Sequence, residues 1–174
     1  VAAHLPAETA LLELVQYTFL GPLEDDWLPT HYAAYLLHPD GHIDWADLGP
    51  SADIDQKVQN LRDAITVRGQ SAKAPFPREL AAELYRDLLG PLCPQLAQVR
   101  HLLVSPDGLL NLLPFEALIG PSGRFLLEDL QLTTLTTGRD LLRMELKLEP
   151  KNSPLVVAAP DYDLQLEGDT GDEV

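Results

Sequence analysis

The run Val99–Leu142, VRHLLVSPDGLLNLLPFEALIGPSGRFLLEDLQLTTLTTGRDLL, decides how the chain is read. Its opening, Val99 to Ser105, is continuously apolar apart from Arg100 and His101, which predicts a buried strand. Pro106-Asp107-Gly108 then breaks it. Proline fixes φ and glycine permits positive φ, so the triplet predicts a chain reversal of hairpin style. Leu109 to Ile119 is leucine-rich, but Pro114 lacks an N–H and prevents a regular ladder. A strand-like entry followed by a short helical turn around Phe115–Leu118 satisfies both facts, with Phe115 and Leu118 three apart as anchors. Pro121-Ser122-Gly123 predicts a further turn, Leu130–Thr137 alternates as another strand, and Gly138 leads into a helix expected over Arg139–Leu148.

Upstream the same grammar holds. Leu11–Leu20 and His31–Leu37 mix apolar, β-branched and aromatic residues and predict strands. Pro39-Asp40-Gly41 joins the second of these to an alternating segment, His42–Leu48, whose apolar positions Ile43, Trp45 and Leu48 predict a β-hairpin with one face buried. Ser51 is placed to cap a helix whose stripe is Ile54, Val58, Leu61 and Ile65, ending near Arg68-Gly69. A second helix is expected over Arg78–Leu89, with Leu80, Leu84 and Leu88 as its stripe, stopped by Gly90-Pro91. Downstream, Pro154–Ala159 (PLVVAA) reads as a short parallel-sheet strand, and Asp161–Val174, with six acids and no base, as a loop or frayed end. Strands alternating with helices predict a three-layer α/β architecture with a mixed sheet that opens on the hairpin.

Composition narrows the function. Twelve Lys plus Arg against 27 Asp plus Glu leave a formal charge of −15, which repels nucleic acid and anionic membrane and favours basic partners. One cysteine, Cys93, excludes an internal disulfide and fits a reducing, cytoplasmic compartment. No apolar run approaches the roughly 20 residues of a membrane span. The start, VAAHLPAETALLEL, lacks the basic region of a signal peptide, and it lacks an initiator Met, so it is expected to be a piece of a longer protein.

The residues present compose no catalytic set. Cys93 lies between Pro91 and Pro94 at a helix end and reads as a packing residue. No G-x-S-x-G turn, H-E-x-x-H, C-x-x-C or glycine-rich phosphate loop occurs. His38 and His42 flank a turn that holds Asp40, an incomplete ligand set for zinc; His31 and His101 read as structural. No cofactor and no metal are expected.

The block Pro106-Asp107-Gly108 followed by Leu113-Pro114-Phe115-Glu116-Ala117-Leu118, then Gly123, Leu127-Glu128-Asp129 and the Thr-rich strand before a helix, resembles the CHAT domain, a caspase-like cysteine peptidase family often found with TPR repeats. HYAAYLLHPDG (residues 31–41), LYRDLLGPL (84–92) and PLVVAAPDY (154–162) are similar to its elements in the same order. The resemblance implies a catalytically silent pseudo-caspase half at residues 1–150 and the first strand and acidic loop of the catalytic half at 151–174. It implies a His-Gly block and a cysteine after small residues in sequence downstream, because neither block is found here. Asp161, Tyr162 and Asp163, just beyond the PLVVAA strand, are the implied wall of a substrate cleft. Implied partners are the downstream catalytic segment, a peptide substrate and TPR repeats or a regulatory protein. Two other readings stand beside it: a non-catalytic interaction module that docks TPR or signalling partners, and, more weakly, a small-molecule-binding α/β domain.

Overall fold

The computed structural model describes residues 1–20, 27–70 and 76–144. Among the described residues five strands form one mixed sheet in the order β3-β2-β1-β4-β5, where β1 is Thr9–Leu20, β2 Trp27–Leu37, β3 Ile43–Pro50, β4 His101–Ser105 and β5 Gln131–Thr134. The first three form an antiparallel meander, so the hairpin expected from Pro39-Asp40-Gly41 is present, with Leu37 opposite Ile43 and Tyr35 opposite Trp45. Gly41 takes φ +88, the left-handed value that the turn needs. β4 then returns beside β1 in parallel, Thr9 opposite His101, and β5 follows it in parallel.

Alternation along β1 explains the layering. Ala10, Leu12 and Leu14 share a core with Tyr32, Ala34 and Leu36 of β2 and Leu102 and Val104 of β4. Two helices cover that face: α1, Ser51–Gln70, through Ile54, Val58 and Leu61, and α2, Arg78–Leu88, through Ala81, Leu84, Tyr85 and Leu88. Leu80, expected in the α2 stripe, is partly buried against the same core. Lys57 of α1 joins them at the rim, 2.6 Å from Asp87 and 3.5 Å from Glu83. Leu11 and Leu103 point the other way, into a smaller cluster with Leu5, Leu135 and Leu141. Leu141 belongs to a short helix, Asp140–Met144, so the second face carries a partial layer. This is the expected mixed-sheet α/β architecture of caspase-like type.

The structure corrects several expectations. Ile43 and Trp45, expected on the buried face of the hairpin, are exposed, and Ala46 and Leu48 pack against the core instead. Ser105-Pro106-Asp107-Gly108 is not a hairpin: Gly108–Leu112 winds into a 3-10 turn, and the chain crosses over to a parallel strand. The strand-like entry at Leu109 is that same turn. Leu110 and Leu113, three apart, are buried as a three-residue repeat dictates. The strand expected over Leu130–Thr137 pairs only over Gln131–Thr134. The 150/151 boundary, the PLVVAA strand and Asp161–Val174 lie outside the described residues.

Candidate functional site

The carboxyl end of β4 and Gln16 of β1 meet the Pro106-Asp107-Gly108 block, where side-chain hydrogen bonds hold the chain. Pro106 is buried. The Asp107 carboxylate accepts two backbone N–H groups, one from Gly108 at 2.8 Å and one from Gln16 of β1 at 3.0 Å. One side chain thus starts the 3-10 turn and ties it to a strand 91 residues earlier. Gly108 takes φ +56, and a Cβ there would stand 2.5 Å from Tyr32 Oη. Glycine is therefore required twice, by its dihedral and by space.

Tyr32 is the fully buried centre of this arrangement. Its hydroxyl donates to Asp55 Oδ1 of α1 at 2.8 Å and accepts the Leu109 N–H at 3.2 Å. Burial pushes its pKa up to about 12, and the hydrogen bond to Asp55 adds to the effect by favouring the protonated phenol. The neighbouring Leu113–Leu118 segment is inserted in the core: Phe115 is 2% exposed and Leu118 0%. Pro114 is half-buried and Glu116 is exposed. On the next crossing, Gly138 donates its N–H to Glu13 of β1 at 3.0 Å. Arg78 bonds the Gly123 carbonyl and lies 5.4 Å over the Phe125 ring, which clamps the Pro121-Ser122-Gly123 turn onto α2.

Reactive groups elsewhere are equally occupied. The Cys93 thiol lies 3.8 Å from Tyr85 Oη, and no imidazole is bonded to it among the described residues. Burial, then the contact with Cys93, raises the Tyr85 phenol. A thiol needs a base within hydrogen-bond reach to act as a nucleophile, so Cys93 and the described histidines make no dyad.

His31 Nδ1 lies 3.2 Å from Asp47, and His101 Nε2 2.9 Å from Thr133 Oγ1. His38 and His42 share Asp44, one on each oxygen at 3.0 and 3.3 Å. Desolvation acts to raise the Asp44 carboxyl, but the bonds from His38 and His42 outweigh it and hold it below its ordinary value. No group of three or more His, Cys, Asp or Glu is arranged to hold a metal ion among the described residues. A cavity of about 770 Å³ lies beside this cluster, lined by Glu8, Asp44, Gln95 and Arg100. Glu8 precedes β1 and Arg100 precedes β4, so it opens at the end of the sheet opposite Asp107.

Of the residues that carry the sequence motif, Pro106 and Phe115 are buried, Pro114 is half-buried, and Asp107, Gly108 and Glu116 are exposed. Asp161, Tyr162 and Asp163 lie outside the described residues. Residues that sequence reasoning missed are Gln16, Tyr32 and Asp55, which no motif flags because their link to Gly108 is made by folding. Among the described residues no helix is long and apolar enough to cross a membrane. The family model of the CHAT domain matches residues 78–171, more than half of the chain. No curated protein matches the chain.

Proposed function

Since the chain belongs to the CHAT domain family, we propose that it is the scaffold lobe of a caspase-like cysteine peptidase whose His/Cys dyad lies in sequence beyond it. The observation that carries this reading is the commitment of its single thiol: Cys93 meets a phenol, and among the described residues no imidazole is bonded to it. In the complete enzyme a thiolate attacks the scissile carbonyl, the histidine protonates the departing amine, and water releases the thioester. This chain's part is to hold the sheet against which that chemistry is built. Asp107 and Gly108 tie the end of β4 to β1, and Phe115 and Leu118 fill the core beside them. Open α/β sheets take their ligands beside the carboxyl ends of their strands. On that rule Asp161, Tyr162 and Asp163, after the PLVVAA segment, form one wall of the cleft, and their acidity suits basic residues of a peptide substrate.

The test is co-expression of the chain with its downstream coding sequence and assay of basic peptides. Cys93→Ser is expected to leave turnover unchanged, whereas Asp161→Asn with Asp163→Asn is expected to lower kcat/KM for basic peptides about tenfold, near 1.4 kcal/mol of lost transition-state binding. Abolished turnover in Cys93→Ser sinks the scaffold reading. Unchanged cleavage by the double variant removes the cleft wall alone.

A further inference from the structure

We propose that the outer edge of β3 is a docking site for an extended, basic polypeptide segment, which adds to the sheet as a further strand. This rests on described residues and holds whether or not the chain serves a peptidase.

β3 is the end of the sheet, and no strand pairs with its outer side among the described residues. An open edge is a row of backbone donors and acceptors that a partner strand can satisfy, which natural proteins usually blunt by charge, proline or cover. Here one face leads with exposed apolar side chains, and Asp47, two residues beyond them, adds an acid. Trp45 is 66% exposed and Ile43 53%, two residues apart on the edge strand itself. Their cross-strand neighbours Tyr35 and Leu37 continue the surface inward, and Tyr35 is also exposed. Spacing by two is the period of a strand, so a partner strand laid along β3 sets alternate side chains beside Ile43 and Trp45. Gly49 and Pro50 end the usable edge.

Charge selects the occupant. From Pro39 to Gln56 the chain carries Asp40, Asp44, Asp47, Asp53 and Asp55 and no Lys or Arg. A second copy offering its own β3 would set these acids against each other, in a chain whose formal charge is −15. A strand alternating apolar and cationic side chains meets both features, its apolar residues on Trp45 and Ile43 and its cations near the carboxylates.

The experiment uses the 174-residue chain and a fluorescein-labelled peptide alternating valine and lysine over about nine residues, a common strand length. Anisotropy is expected to show saturable binding, and amide exchange is expected to slow in Ile43–Leu48. Trp45→Ala, an exposed substitution whose fold is checked by circular dichroism, is expected to weaken binding about tenfold, as loss of a large aromatic contact does. Any of these binding results overturns the proposal: equal binding of a glycine–lysine peptide of the same charge, equal binding of a valine–glutamate peptide, or an unchanged affinity in Trp45→Ala. Protection of β3 that rises with protein concentration in the absence of peptide overturns it in favour of self-pairing.

Discussion

A side chain at Gly108 is strained on two separate grounds. Alanine there forces a Cβ against the Tyr32 hydroxyl and holds a non-glycine residue at φ +56. Gly108→Ala is expected to lower stability by about 1–3 kcal/mol, the ordinary cost of such backbone strain, as read from urea unfolding midpoints. A midpoint equal to that of the parent contradicts the role given to this glycine. Tyr32→Phe removes the acceptor for Leu109 N–H and the donor to Asp55, with an expected loss of about 1–3 kcal/mol for orphaned buried groups. The same phenol sets an alkaline limit. Its pKa in the fold, about 12, lies above its ordinary value of 10. Its contribution is therefore complete below pH 10 and fades as the pH climbs towards 12. Stability of the parent chain is expected to fall across that window, and Tyr32→Phe to fall less; parallel curves for the two refute the assignment. Tyr85, also raised, adds to the fall in both.

The helical turn around Phe115 is the element on which the core closes. Phe115→Ala is expected to cost about 3–5 kcal/mol and Glu116→Ala less than about 0.5 kcal/mol, because the first empties a packed site and the second alters an exposed one. Thermal unfolding of the pair checks the contrast, and similar losses refute it. This turn was legible beforehand because Pro114 forbids a ladder and the apolar residues beyond it are spaced by three. The β2–β3 hairpin was legible from its turn chemistry at Pro39-Asp40-Gly41, but its inward face was not: the apolar pair Ile43 and Trp45 faces out, and the smaller Ala46 with Leu48 faces the core. The Pro106-Asp107-Gly108 triplet, of the same composition, misled. Its aspartate is bonded to Gln16 of a distant strand rather than only to its own turn, and long-range partners leave no local trace. Tyr32 was hidden for a related reason: in a strand of apolar and aromatic residues its ring reads as packing, and only the fold reveals that its hydroxyl meets Asp55 and Leu109.

Across the whole molecule β1 is the axis. It alone among the strands of the meander pairs on both sides in opposite senses, antiparallel to β2 and parallel to β4. Amide exchange is expected to be slowest in Ala10–Leu14 and Leu102–Val104, and faster at β3 and β5, since buried central strands open only when the domain does. Faster exchange in β1 than in β3 refutes this ordering. The mixed sheet as a class was legible in the alternation of strand and helix patterns. The strand order was not, because a short apolar run such as HLLVS carries no mark of which neighbour it will choose.

The parallel pairing of Thr9 with His101 has a consequence for synthesis. The two positions are 101 − 9 = 92 residues apart, so the earliest strand leaves the ribosome with one flank bare. At elongation rates of about 5–20 residues per second that interval lasts several seconds. During it the nascent meander presents the unpaired backbone donors and acceptors along Thr9–Glu13 to whatever chaperone or neighbouring chain is at hand, and the arrival of β4 is the event that ends the exposure.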